Sequence, residues 1–573
     1  MENSVPECVS PNHDEPRRPT MTLVALALFG GLLGAWPNLV NLAATGRARF
    51  LADSDALLYH AWSRDALLTP SWSLTDGVHE PSGPAMHPWL LFVPPAKVAR
   101  VLGIDVDLVW RTLAGAGLAL GLFAVIRRFT ASIRVAAAVS AALLCEGGLI
   151  LGLPLVHTVQ SVGSILLGSG EVLASVPRLF PHLRVPTPAL PLALLLVHIS
   201  TVISARASSR SRAIVPAALS FAALFYAYFY FWTAAGLALL LAIGFDRRGA
   251  GRYLRIAFFG GLLGSPAIVQ GWLAKRSTPP DWLLRTEKFL PIGRFEDLLV
   301  PKFLIAVWLV SSVIVLTKRR SLIHLWCLVL AGILCADHQL ITGLQIENFH
   351  WVYAFGTAFS LLLVGVLLPL LQEWWGKSGV WSRRAAMVSL GCILGAGVVL
   401  RTVETVSSRE SRWVAGIAER WERSIPELPA GAVVAGDPDD LAFAAATSLV
   451  RPLFARLVEY SASADDRELD ERLVLNWFLL GTARDRALEQ ARAPAGHWSR
   501  EAAAMRDSET ARRQELRRKE LVQAIWDEPT AFLERYRVEF LALPRGASPP
   551  AIPGRSWSSI NTENVPIRLF RSR

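Results

Sequence analysis

Two carboxylates one residue apart follow the first long apolar run, in Leu51-Ala52-Asp53-Ser54-Asp55-Ala56-Leu57-Leu58-Tyr59-His60-Ala61-Trp62. A carboxylate held at a membrane edge can act as a general base, taking the proton from an acceptor hydroxyl or amine. An Asp-x-Asp pair also offers oxygen ligands to a divalent cation such as Mg2+ or Mn2+, although two carboxylates alone make a weak metal motif. The plain alternative is local: with Ser54 or Asp53 as N-cap, the acids merely start a surface helix and favour its dipole. A second stretch, Pro177-Arg178-Leu179-Phe180-Pro181-His182-Leu183-Arg184, gathers two guanidiniums and a histidine. Guanidinium matches phosphate oxygens bidentately, so the set suits a phosphate or diphosphate; lipid headgroups explain it equally. A third runs from Asp337-His338-Gln339 through Gln345 to His350-Trp351, without Lys or Arg and rich in hydrogen-bonding side chains. Polar groups at the edge of an apolar segment are costly unless paired or wet. They line either a wet cavity for hydroxyl-rich substrates such as sugars or an interhelical hydrogen-bond network.

Other polar residues fit quieter roles. Glu146 falls within an apolar run beside Gly147 and Gly148, a depth at which charges are paired or functional; a protonated acid bonded to a neighbouring helix is the alternative. Asp437, Asp439 and Asp440 follow the short apolar run Ala432–Ala435 and read as helix caps. Cys8 lies in a polar tail and Cys145, Cys327, Cys335 and Cys392 in apolar runs, with no spacing for a disulfide framework or a zinc site.

The elements that must position these residues are membrane helices. Of the 573 residues 52% are hydrophobic and only 18% charged, below the roughly 25% of soluble proteins. Twenty tryptophans against eight tyrosines fit a protein with extensive membrane–water interfaces. The net charge of +11 is scattered in short arginine clusters, which argues against a nucleic-acid surface. A spanning helix needs about 20 mostly apolar residues. Runs near 21–44, 107–126, 135–154, 188–204, 213–227, 229–245, 254–272, 302–317, 321–337, 351–371 and 385–402 meet or approach that length. About twenty polar residues precede the first run, which reads as a span and not as a cleavable signal.

Short-loop Lys and Arg favour the cytoplasmic side. With the N-terminus inside, 213–245 crossing twice and His87–Leu102 lying on the surface, every short cluster falls inside, from Arg127/Arg128 to Arg383/Arg384. The aromatic knot Phe225–Trp232 then reaches the outer interface, as do His60, His79, His87, His157, His182, His338 and His350. The expectation is a polytopic α-helical membrane protein of about eleven transmembrane helices, with a C-terminal extracytoplasmic α/β soluble domain. Residues 1–20 form a cytoplasmic tail. Residues 21–402 form the transmembrane domain, whose outer loop 45–106 carries surface helices, and residues 403–573 form the soluble domain. In the last, Arg409–Ile425, Asp465–Phe478 and Glu501–Trp526 are amphipathic, and Arg537–Leu543 and Ile567–Phe570 read as strands.

The order of features over about residues 20–130 resembles the GT-C class of membrane glycosyltransferases, such as protein O-mannosyltransferases and bacterial lipid-A aminoarabinose transferases. Asp55 stands four residues before Tyr59; His87-Pro88-Trp89-Leu90-Leu91-Phe92, Gly103 and Arg111 follow. Asp-Ser-Asp replaces the usual Asp-Glu pair, and Pro94-Pro95 lies inside the surface helix instead of before it. The resemblance implies Asp55, with Asp53 beside it, as catalytic base, and a polyprenyl-phosphate-linked sugar as donor. A protein or glycan is the acceptor this reading offers, and the one cofactor it offers is a divalent cation, Mg2+ or Mn2+, at Asp-x-Asp. Tyr59, His60, His87, Arg178, His182, Arg184, His338, Gln339, Gln345 and His350 are the candidate substrate-binding residues. The expected setting is a bacterial cytoplasmic membrane, among its lipids. A lipid or sugar transporter is the first rival reading. The second is a non-catalytic scaffold or assembly protein with a degenerate GT-C fold.

Overall fold

In a bilayer the backbone has no water to bond, and a helix satisfies its own N–H and C=O groups. In the computed structural model the apolar runs are accordingly helical. The structure describes residues 18–51, 54–72, 74, 88–152, 179–279, 282, 290–291, 299–346, 349–377, 379–426, 428–455, 464–492, 508–561 and 565–573. The first half of the chain opens with α1 (Arg18–Thr45), α2 (Ser54–Leu68), α3 (Trp89–Leu102), α4 (Val106–Ile126) and α5 (Ile133–Cys145). It continues with α6 (Ala189–Ala207), α7 (Ile214–Phe225), α8 (Phe229–Phe245) and α9 (Ala250–Arg276). Then come α10 (Lys302–Thr317), α11 (Ile323–Ala336), α12 (Phe349–Lys377) and α13 (Val380–Ser407). Among the described residues, α1, α4, α6, α9, α12 and α13 are long and apolar enough to cross a membrane, and α5, α7, α8, α10 and α11 are shorter apolar helices.

One local departure has a physical cause, and one expected division is seen. The run expected to span 135–154 is helical only to Cys145; Glu146 leaves the helix with φ −104° and ψ 146°, and a 3-10 turn follows at Leu149–Leu151. The Glu146 carboxylate accepts the Gly148 N–H at 2.6 Å. It therefore sits at a break, where two glycines of low helix propensity let a side chain compete for the backbone. The stretch 213–245 is two helices, parted at Tyr226-Ala227-Tyr228.

Close packing of α1 on α4 sets up the region of interest. A methyl group on Gly34 would run into the Arg111 carbonyl, and one on Gly115 into the Gly30 carbonyl. The Gly30-x-x-x-Gly34 spacing permits that approach. It brings Asn38 Nδ2 within 2.9 Å of Asp107, which also accepts from Arg111 Nε at 2.8 Å, all three residues being buried. Between α1 and α4, α3 contains Pro94 and Pro95 and ends at Gly103, whose φ of 65° makes the left-handed cap that glycine adopts without strain.

Beyond α13, α14 (Arg409–Ser424) leads into an interleaved helix–strand region. It comprises β3 (Val433–Ala435), α15 (Pro438–Thr447), β4 (Arg451–Pro452), α16 (Asp466–Leu479), α17 (Arg484–Gln490), α18 (Ser508–Asp527), α19 (Pro529–Tyr536), β5 (Val538–Pro544), β6 (Trp557–Ser559) and β7 (Ile567–Ser572); β1 (Leu290–Pro291) and β2 (Leu344–Gln345) form a separate antiparallel pair. The larger sheet has the order β4-β3-β5-β7-β6, with β3 parallel to β4 and β5, and β7 antiparallel to β5 and β6. Its core joins Leu475, Val522, Ile525 and Leu541. Asp437 caps α15, accepting from the Asp439 and Asp440 N–H groups at 2.9 and 3.2 Å.

Candidate functional site

Asp55 occupies the first turn of α2, where a carboxylate favours the helix dipole. Its side chain is 45% exposed and ion-paired to Arg184, which is 12% exposed. Arg184 follows a 3-10 turn at Pro181–Leu183, and its guanidinium lies 5.8 Å from the centre of the Tyr59 ring, one helical turn beyond Asp55. The Tyr59 hydroxyl shares a hydrogen bond of 3.1 Å with Thr187 Oγ1, and its ring packs on Trp62 and Phe92 at 5.7 and 6.0 Å. The structure thus brings three of the candidate residues, Asp55, Tyr59 and Arg184, into one cluster, in which α2, α3 and the segment before α6 meet.

What holds Arg184 there is a buried polar frame. His182 is buried and its Nε2–H donates to the Leu144 carbonyl at 2.9 Å, so it fastens the segment to α5. The Phe180 N–H donates to Glu404 Oε1 at 3.3 Å, and Glu404 is ion-paired with Arg401. Both lie near the end of α13. The Arg401 guanidinium is 5.6 Å from the centre of the Phe180 ring. Its side chain is 5% exposed, and its Nε and Nη2 have no hydrogen-bond partner. Unpaired buried donors are costly, which makes these two N–H groups ready partners for an oxyanion. Sequence reasoning missed Arg401 and Glu404. The available signal was an Arg/Glu pair three residues apart at the close of the last apolar run.

His60 takes no part in the cluster. It is buried edge-on against Trp110 at 5.3 Å, its Nε2 is unpaired, and burial pushes its pKa below the ordinary histidine value. The loop candidates form a second cluster. His350 Nδ1 is 2.5 Å from the Tyr228 hydroxyl, and its ring lies 4.6 Å from that of Tyr230. His338 packs on Trp351 at 5.2 Å and donates from Nδ1 to the Cys335 carbonyl at 2.9 Å, leaving Nε2 as an acceptor without a partner. Gln339 is buried and bonds to Asp337, whose carboxyl burial shifts upward. Tyr228 and Tyr230 come from the aromatic knot; the sequence placed them at the interface without linking them to His350. Gln345 pairs through its backbone in β2, and Asp53, His87 and Arg178 lie outside the described residues.

Among the described residues, no group of three or more His, Cys, Asp or Glu side chains is placed to hold a metal ion. Asp55, the describable half of the Asp-x-Asp pair, directs its carboxylate to Arg184. Fold and site together describe a bundle of apolar helices with a charged cluster at one end and an attached α/β unit. No family model matches the chain, and no curated protein does. Its structure is similar to that of the Archaeoglobus fulgidus oligosaccharyltransferase tethered with an acceptor peptide containing the NVT sequon. The identity is 12%, the TM-score 0.45, and the match covers 92% of this chain and 69% of that one. The apo form of the same protein matches at 13% identity and a TM-score of 0.37, over 92% and 70% of the two chains. Neither likeness carries a residue assignment across.

Proposed function

We propose that this chain is a membrane glycosyltransferase of GT-C type that moves a sugar from a polyprenyl-phosphate-linked donor to an acceptor. The reaction takes place at the outer face of a bacterial cytoplasmic membrane, with the N-terminus inside and residues 403–573 outside. The observation that carries the reading is the Asp55–Arg184 pair poised over Tyr59, a carboxylate base and a phosphate-binding cation in contact before any substrate arrives. The donor's phosphate competes for the Arg184 guanidinium, to which it binds bidentately, and so frees the Asp55 carboxylate. Asp55 takes the proton of the acceptor hydroxyl or amine as its heteroatom bonds to the anomeric carbon. The bond from that carbon to the phosphate oxygen breaks, and the lipid phosphate leaves with the electron pair. Its charge is met by Arg184 and by the unpaired Nε–H and Nη2–H of Arg401. The His338–His350 cluster orients the sugar, while Arg178 and Asp53, which lie outside the described residues, stay candidates for phosphate binding and for a second carboxylate. Mg2+ or Mn2+ at Asp53/Asp55 is a variant of the same proposal that chelation tests.

Asp55→Asn keeps size and hydrogen bonding but removes the base. The expected result is intact membrane insertion and a loss of transfer of about 10^2–10^4-fold, read as sugar transfer from a polyprenyl-phosphate donor in proteoliposomes. Full activity in Asp55→Asn would remove Asp55 from the mechanism. The same ion pair also fits a non-catalytic scaffold, in which Arg184 simply pins α2. In that case the parent protein turns over no donor at all.

A further inference from the structure

The helix that presents Asp55 is buried on more than one side. Leu57, Leu58, Ala61, Arg64 and Ala66 are all buried, and Asp55 and Tyr59, one turn apart, form the face left partly open. A helix lying on a protein surface keeps one polar face to solvent, so something must cover the other side of α2. The cover is α15, which contacts α2 directly. Its Leu441 and Phe443 belong to the same core as Leu57, Leu58 and Ala61.

At the centre of that contact is an arginine. The side chain of Arg64 is 2% exposed, and its Nη1 donates to the carbonyls of Ala445 at 2.8 Å, Val450 at 3.0 Å and Ser448 at 3.3 Å. These carbonyls gather where α15 ends. The last carbonyls of a helix lack intrahelical partners and carry the negative end of its dipole. Arg64 therefore caps a helix whose first bonded carbonyl lies 381 residues further along the chain. The other end of α15 is equally fixed. Arg420 pairs with Asp440 at 2.8 Å, and Asn476 bonds both the N–H and the C=O of Gly436, at 3.1 and 2.9 Å. A rigid path thus runs from the sheet through α15 and Arg64 into α2. It ends about two and a half turns from Asp55 at 3.6 residues per turn.

We propose that the C-terminal unit is a working part of the site, with Arg64 as the positioning residue through which it orients α2 and hence the Asp55 carboxylate. The catalytic half of this inference rests on the function proposed above; the mechanical half does not. A burial this complete is costly for a guanidinium, and an apolar side chain would fill the space. Its worth lies in direction: one buried Nη1, sharing its two N–H groups among three carbonyls, ties α2 to a single place on α15 in a way that a greasy contact does not.

The test uses the full chain in nanodiscs, as parent, Arg64→Met and Arg64→Lys, with hydrogen exchange followed by mass spectrometry. In Arg64→Met, amide exchange is expected to rise roughly ten-fold in residues 54–68 as well as in 438–450, the size expected for a lost charge-assisted bond. Arg64→Lys, which keeps the charge and the stem, should fall between. Loosening confined to 438–450 in both variants overturns the proposal, because α2 then holds itself. If Arg64→Met does not fold, the lysine variant alone decides, by whether 54–68 loosens. Transfer activity reads the catalytic half. Arg64→Met should lower kcat about 100-fold, as a misplacement near 1 Å does, while the KM for donor stays put; an unchanged kcat with loosened 54–68 overturns that half. Should Asp55→Asn retain full activity, the function reading fails and the exchange result still stands.

Discussion

Arg184 is the residue at which a structural and a catalytic account part most cleanly, and Arg184→Met separates them. Methionine keeps the apolar stem and removes the guanidinium. The stability at stake is small. The ion pair with Asp55 joins a side chain 12% exposed to one 45% exposed, and pairs open to solvent are worth about 0–1 kcal/mol. The contact with the Tyr59 ring at 5.8 Å adds about 0.5–1 kcal/mol. Together the loss should stay near or below about 2 kcal/mol. Binding is another matter. Hydrogen bonds to a charged group contribute about 1.5–3 kcal/mol, which converts to a roughly 10- to 150-fold weaker hold on a phosphate-linked donor. The assay is paired: thermal unfolding of the detergent-solubilised variant, and the donor-concentration dependence of transfer in proteoliposomes. A donor KM equal to that of the parent, with stability down by 3 kcal/mol or more, refutes the reasoning and makes Arg184 a strut for α2.

Two further outcomes follow from the buried polar frame. Arg401→Met strands the Glu404 carboxylate, 19% exposed, and should cost about 3–5 kcal/mol of unfolding stability; adding Glu404→Gln, which still accepts the Phe180 N–H, should recover most of it without restoring donor affinity. His60 gives a pH signature. Its pKa is lowered by burial in the folded protein, so below about 6.5, the unperturbed value, the unfolded chain binds more protons. Stability is therefore flat above that pH and falls as pH drops towards the depressed value. His60→Phe, compared with the parent by thermal unfolding between pH 7.5 and 4.5, should remove that part of the slope; parallel curves would show that His60 carries none of it.

The parts of this molecule that could be read from sequence are those fixed by neighbours along the chain. Apolar runs announce themselves as helices, and the expected stretch 135–154 breaks near Glu146-Gly147-Gly148, where two glycines of low helix propensity end α5 early. The Asp437 cap is similarly local. The pairing of Asp55 with Arg184 was only half visible. Both residues were marked for chemistry, but their separation of 129 positions along the chain hid their contact. His60 and His182 were marked because they fall in outer loops, and that placement left their burial unread. A loop position says where a side chain starts, while burial depends on what packs over it, here Trp110 for His60 and the Leu144 carbonyl for His182.

Arg64 shows the same limit from the other side. In the sequence it is one arginine in a short helix, and the default for such a residue is a solvated head on an apolar stem. Its burial is a property of α15, more than 370 residues away, and no periodicity within residues 54–68 can report it. Yet α2 carries a trace of the missing partner. Alanines, leucines and a tryptophan are spread around the helix instead of along one stripe, and apolar positions on more than one side must be covered on more than one side. The membrane bundle can supply only part of that cover. The remainder comes from elsewhere in the chain and, among the described residues, from the alanine-rich helix after Asp437. Read this way, the composition of α2 argues that the site was never complete with the membrane helices alone, and that a chain cut before α15 would leave Asp55 on a helix with one side bare.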